Sequence, residues 1–188
     1  MADALLVMDM QNGIVERLGD RATPLMATVA SALRAARHHA VPVIFVRVAL
    51  REGAPEVSAR NQSFATLATS NVMSEAASST QLHADMAPQP GEVVVTKRRV
   101  SAFSGSDLDV VLRAKNIDGL ILAGIATSGV VLSTVRQAAD LDFRLTVLRD
   151  ACADADDEVH RVLMDKVFVR QAAVVTTDEW AASLDGPA

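Results

Sequence analysis

The chain is poor in cysteine, in aromatic residues and in net charge, and each shortage removes a class of protein. One cysteine in 188 residues, Cys152, excludes an intramolecular disulfide and fits a reducing compartment. Aromatic residues make up only 3 % of the chain, so the core must be aliphatic, with alanines letting helices approach a sheet closely. A formal net charge of −5 gives no reason to expect nucleic acid or an anionic membrane surface as partner. Long apolar runs are also missing: the first, Ala4 to Met8, is far too short to span a bilayer and is stopped by Asp9. No basic leader with an apolar stretch and a small-residue cleavage site opens the sequence. The expectation is a cytoplasmic protein that acts on a small molecule, with no nucleic acid and no membrane as partner.

What is present points to one α/β domain over residues 1–188. Half of the residues are hydrophobic, which argues for a folded core and against disorder. Short aliphatic runs at Ala4–Met8, Val41–Val48, Glu92–Thr96, Gly119–Ala123, Phe143–Leu148 and Ala173–Thr176 alternate with helical patterns. They lack clean alternation, as expected of parallel strands covered on both faces. Between the first two runs, Thr23 is placed to cap a helix with Pro24 at its first position, followed by Met26, Val29, Ala30, Leu33 and Ala36 at helical period. A second helix begins near Ser106, where Ser106-Asp107-Leu108-Asp109 resembles a capping box. A third runs from Ser128 to Asp140 and buries Val131, Val135 and Ala138. A fourth opens with the acidic run 154–158 and turns Val159, Leu163 and Val167 inward. Residues 51–90 carry only a short helical pattern near Phe64–Ala68. They read as a long excursion over the site's edge, a lid or a subunit contact.

In open parallel sheets ligands sit at the carboxyl ends of the strands, near the point where strand order reverses. Three polar features fall at such ends: Asp9 after the first run, Lys97 after the third, and the turn Gly124–Gly129 after the fourth. Each alone reads as something ordinary, namely a turn residue, a solvated basic cluster Lys97-Arg98-Arg99, or tight packing; their coincidence at one sheet edge is the signal. The turn is not a phosphate loop, since Val130-Val131 follow Gly129 where Lys-Ser/Thr is required, and it is not Gly-x-Gly-x-x-Gly. No Gly-x-Ser-x-Gly elbow occurs. Thr127 and Ser128 have no evident His beside them. None of His38, His39, His83 and His160 shows metal-ligand spacing, so neither a catalytic metal nor a cofactor is expected.

Four segments in order, LLVMDMQNG, VVTKRRVSAFSGSDLD, LILAGIATSGVVLSTVRQAADLDFRLTVLRDACAD and EVH…VFVRQAAVVTTDEW, resemble the isochorismatase-like hydrolases of the cysteine hydrolase superfamily, from about Ala4 to Trp180. The resemblance implies a three-layer Rossmann-like α/β/α sandwich around a mostly parallel six-stranded sheet. It implies Asp9 and Lys97 as the catalytic pair and places the position of the family's nucleophilic Cys on Val130. It also implies a cis peptide between Ile125 and Ala126 in a turn whose N–H groups face an oxyanion, and homo-oligomers. A valine cannot be acylated. Isochorismatases themselves lack the Cys and hydrolyse a vinyl ether, an Asp protonating the enol carbon before water adds. Asp9 suits that role if burial raises its pKa, a rise that Lys97 would oppose. Gln11, Arg47, Arg99 and Phe103 are candidate pocket residues, with surface charge the competing role for the two arginines. Cys152 reads as a buried small hydrophobe just past the fifth strand, with a substitute nucleophile as the competing role. The leading function is hydrolysis of a small anionic metabolite by Asp/Lys acid–base chemistry; the alternative is a non-catalytic descendant that binds a metabolite or protein in the retained pocket. A receiver domain fits poorly, because Met10-Gln11 follow Asp9 where paired acids are needed.

Overall fold

Strands form where the aliphatic runs fall: β1 (Asp3–Met8), β2 (Val43–Val48), β3 (Val93–Lys97), β4 (Gly119–Ile125), β5 (Arg144–Ala153) and β6 (Ala173–Val175). The computed structural model describes residues 2–186. The six strands make one sheet in the order β3-β2-β1-β4-β5-β6, and every neighbouring pair is parallel. The chain therefore runs outward from β1 to β3, returns, and runs outward again from β4 to β6. Strand order reverses between β1 and β4, and this is where Asp9 leaves the sheet.

Side-chain parity along the strands divides the core into two layers. Leu5, Val7, Val43 and Phe45 face α2 (Ala22–His38) and Trp180 of α7 (Thr177–Leu184). Leu6, Met8, Ile44 and Val46 face Leu108 and Leu112 of α4 (Leu108–Ala114), Val135 and Ala138 of α5 (Leu132–Asp140), and Met164 and Phe168. Burial on both faces explains why the strand sequences do not alternate.

Several element ends depart from expectation for identifiable reasons. The helix expected to be capped at Thr23 starts at Ala22, directly after a 3-10 turn over Glu16–Arg21 that follows the short α1 (Asn12–Val15). The chain enters α2 already right-handed, so no side chain caps it, and Thr23 and Pro24 lie inside its first turn. The full capping box at Ser106 does not form: α4 begins at Leu108 without a side-chain cap at Asp107, and Ser106 Oγ accepts the Leu108 N–H at 3.3 Å while donating to Ala102 O at 2.6 Å. Asp156 caps α6 (Asp157–Val162), accepting from the N–H groups of Glu158 and Val159. Val159 is exposed rather than inward, because the chain widens into a π-helical turn at Leu163–Val167 and the buried stripe shifts to Leu163 and Met164. β5 outlasts its apolar run: pairing resumes past a register shift, so Cys152 lies within the strand, opposite Gly124, and not beyond it.

The excursion contains α3 (Gln62–Ala68), capped by Asn61, and short turns. Phe64 packs with Val48 and Leu50. Thr80, almost wholly buried, donates to Ser74 O and Ala77 O, and Gln11 ties the segment to the sheet.

Candidate active site

Asp9 occupies a backbone conformation with φ 56°, rare for a residue with a side chain, and its N–H donates to Val46 O at 2.8 Å. This turn takes the chain off the end of β1 and puts Asp9 in the wall of a cavity of about 370 Å³. The next strand must come close. A Cβ on Gly124 would stand 2.1 Å from Met8 O, and Gly124 has φ 145°, so only glycine lets β4 lie against β1 here. Beyond β4 the Ile125–Ala126 peptide is cis, and Ile125, Ala126, Gly129 and Val130 line the same cavity.

Lys97 comes from the edge strand, two places from β1. Its register partner is Val48, and its long side chain crosses the end of β2 to bring Nζ within 2.8 Å of Asp9 Oδ2. Nζ also donates to Arg99 O at 3.1 Å. Asp9 is 5 % and Lys97 1 % exposed, which makes this a desolvated ion pair. Asp9 Oδ1 is buried and has no hydrogen-bond partner. Burial pushes the Asp9 carboxyl above the ordinary carboxylate range, against the opposing charge and hydrogen bond of Lys97, so burial prevails in the contest the sequence left open. Because Oδ2 accepts from Lys97, the proton of a neutral Asp9 belongs on Oδ1.

The other expected pocket residues divide. Gln11 lines the cavity, but its amide is occupied: Nε2 donates to Val48 O and Thr80 O, and Oε1 accepts from Val48 N, all at 2.8 Å. Arg47 does not line it. Strand parity turns Arg47 toward the side of Val43 and Phe45, where it donates to Thr96 Oγ1 and Gln81 Oε1. Phe103 is also elsewhere, packed on Phe143 in the core layer of α4 and α5. Arg99 stands behind the wall, its guanidinium 5.4 Å from the ring centroid of Phe64, which does line the cavity. Arg98 donates to Ala49 O and pairs with Glu75, so the basic run 97–99 is not a solvated cluster.

Sequence reasoning missed much of the wall. The excursion supplies Ser63, Phe64, Leu67, Val72, Met73 and Ser79; Gly13, Ile14, Arg17, Leu18, Val48, Val100 and Ala155 also line it. Placing residues 51–90 over the site's edge was the only available signal for them. His160 was also missed as a neighbour of the turn: its Nδ1 is hydrogen-bonded to Thr127 Oγ1 at 2.8 Å, across a separation in sequence of 33 residues. Burial lowers its pKa, with Asp154 opposing. Thr127 is fully buried and absent from the cavity lining, so this pair ties α6 to the turn. Asp154 reinforces the join by accepting Ser128 N–H at 2.6 Å.

The single thiol is not in the cavity lining. Cys152 is 5 % exposed, lies 3.8 Å from Leu122 O, and has its pKa pushed up to about 12, chiefly by burial. Among the described residues no group of three or more His, Cys, Asp or Glu is arranged to hold a metal ion, and no helix is long and apolar enough to cross a membrane.

Comparison with known proteins adds relatives to this geometry. The family described as Isochorismatase domain matches residues 3–179. An uncharacterized isochorismatase family protein of Bacillus subtilis is 31 % identical over 177 residues, covering 94 % of this chain and 91 % of its own. A ureidoacrylate amidohydrolase of Stutzerimonas stutzeri is 31 % identical over 206 residues, covering 97 % of this chain and 79 % of its own. The solved structure of an isochorismatase family protein from Burkholderia thailandensis superposes with a TM-score of 0.83 at 28 % identity, covering 98 % of this chain and 96 % of that one.

Proposed function

Since the chain belongs to the isochorismatase family and is a hydrolase, we propose that it works by proton transfer from Asp9, without a covalent acyl-enzyme. The observation that carries this reading is the state of Asp9: buried, held by Lys97 through one oxygen, with the other oxygen unpartnered. Burial shifts such a carboxyl toward its protonated form, the form a general acid needs. The substrate class that uses it is an enol ether. Asp9 delivers its proton to the terminal enol carbon, forming a C–H bond and an oxocarbenium ion. Water adds to that ion, and its released proton returns to Asp9. The hemiketal or hemiacetal collapses to a carbonyl compound and an alcohol, so one water is consumed and Asp9 is regenerated. Lys97 keeps Oδ2 as acceptor and offsets the charge that Asp9 acquires in mid-reaction. Ile125, Ala126 and Val130 line the same cavity as Asp9 and bound the space in which the oxocarbenium ion forms.

The amide-cleaving activity in the name of the Stutzerimonas stutzeri relative is a poorer fit here. Val130 stands where the resemblance expects the nucleophile, and the only cysteine is buried elsewhere with its thiol protonated. Homo-oligomers remain part of this reading, supported by the exposed Val72 and Val100 on the cavity wall; light scattering measures the state directly. The test of mechanism is a turnover assay on vinyl ethers. Asp9→Asn should lower turnover by about 10²–10⁴-fold, while Cys152→Ser and iodoacetamide treatment should leave it unchanged. Inactivation by the alkylating agent would transfer the chemistry to Cys152 and end the proposal.

A further inference from the structure

Much of the polar lining of the cavity is already committed, and what is left over identifies the rest of the substrate. Gln11 holds Val48 and Thr80, Lys97 holds Asp9 and Arg99 O, and Ser79 Oγ donates to Val72 O. Arg17 differs. It lies on the 3-10 turn Glu16–Arg21, is solvent-exposed and lines the cavity. No carboxylate among the described residues pairs with it, and its guanidinium makes no hydrogen bond to them, whereas Arg47, Arg98 and Arg99 are all engaged. Apolar side chains make up most of the remaining lining, among them Ile14, Leu18, Phe64, Leu67 and Val100.

Resting on the acid role proposed for Asp9, we infer that the substrate is a carboxylate with an apolar body, its anionic group held by Arg17 at the solvent end while its proton-accepting end meets Asp9. The guanidinium fork is shaped for two parallel hydrogen bonds to a carboxylate. The deep end suits an anion less well, because a second carboxylate there would compete with Asp9 for Lys97 and be repelled whenever Asp9 ionises. The body must be apolar because hydroxyl groups against these walls would lose water without gaining partners.

Calorimetric titration of the whole protein at low salt with 3-phenylpropanoate and 3-phenylpropanamide tests this. The acid should bind about tenfold or more tightly than the amide. Arg17→Gln should bring the two within about twofold by weakening the acid alone, and Arg17→Lys should recover part of the preference. Glycerate, equally charged but hydroxylated, should bind at least about tenfold more weakly than 3-phenylpropanoate. The inference is overturned if neither aromatic ligand binds, if the wild type shows no preference for the acid, if Arg17→Gln keeps it, or if glycerate matches 3-phenylpropanoate. No proton moves in this titration. Its failure therefore leaves the Asp9 mechanism to be judged by turnover, and survival of turnover in Asp9→Asn would leave the anion site standing.

Discussion

At Asp9 two effects of opposite sign meet, and a substitution separates them. Burial raises the carboxyl's pKa and Lys97 lowers it. Lys97→Met removes the lowering influence, so the Asp9 carboxyl should titrate at higher pH than in the wild type, as followed by ¹³C NMR of the carboxyl carbon. An acid catalyst works while protonated, so kcat/KM falls as pH rises through the Asp9 pKa, and in Lys97→Met that falling limb should move upward with it. A limb that stays put or moves down would mean that another group carries the proton. Asp9 and Lys97 were both legible in sequence because a charged residue at the end of an apolar strand run is conspicuous. Arg17, Phe64 and Val100 were not, because nothing local distinguishes a residue that lines a cavity from one on an ordinary surface.

At the scale of elements, the turn after β4 is held from behind by α6 through two contacts, Thr127 to His160 and Ser128 N–H to Asp154. Burial works against the ionised form of Asp154, but hydrogen bonds from Ser128, Asp156 and Ala155 bring its pKa below the ordinary value. The folded state there binds fewer protons than the unfolded chain. The stabilisation is therefore complete above the unfolded value of about 4 and is lost as pH falls through the lower folded value. Asp154→Ala should cost about 1.5–3 kcal/mol at neutral pH. Urea unfolding of wild type and variant should converge as the solution is acidified below about pH 4; a constant gap would show that Asp154 acts by packing alone. No pattern in the sequence pairs residue 127 with residue 160, since the contact exists only once β5 carries the chain across the sheet. The C-terminal helix was missed for a different reason: Thr176, which caps it in a complete capping box with Glu179, was taken as the last residue of a strand run.

At the scale of the whole molecule, the candidate site exists because strand order reverses between β1 and β4. The residues proposed to react lie on that seam or reach it, and the seam closes only through Gly124. Gly124→Ala would drive a methyl group into Met8 O in a backbone conformation side chains avoid, at a cost on the order of 3–5 kcal/mol. Urea denaturation should show that loss; a variant within about 0.5 kcal/mol of the wild type would mean that β1 and β4 separate freely. The parallel sheet itself was readable from aliphatic runs without alternation. Strand order was not, because composition says that two faces are buried and not which strands are neighbours.

The central claim is that a buried carboxylic acid performs hydrolysis without a thiol. It is tested most directly by hydrolysing a vinyl ether of an apolar carboxylic acid in D₂O and locating the deuterium in the carbonyl product by mass spectrometry. Proton transfer from Asp9 to the enol carbon should leave one carbon-bound deuterium per turnover, and Asp9→Asn should form almost none of this product. A product without carbon-bound deuterium, or one formed at the wild-type rate by Asp9→Asn, would contradict the mechanism.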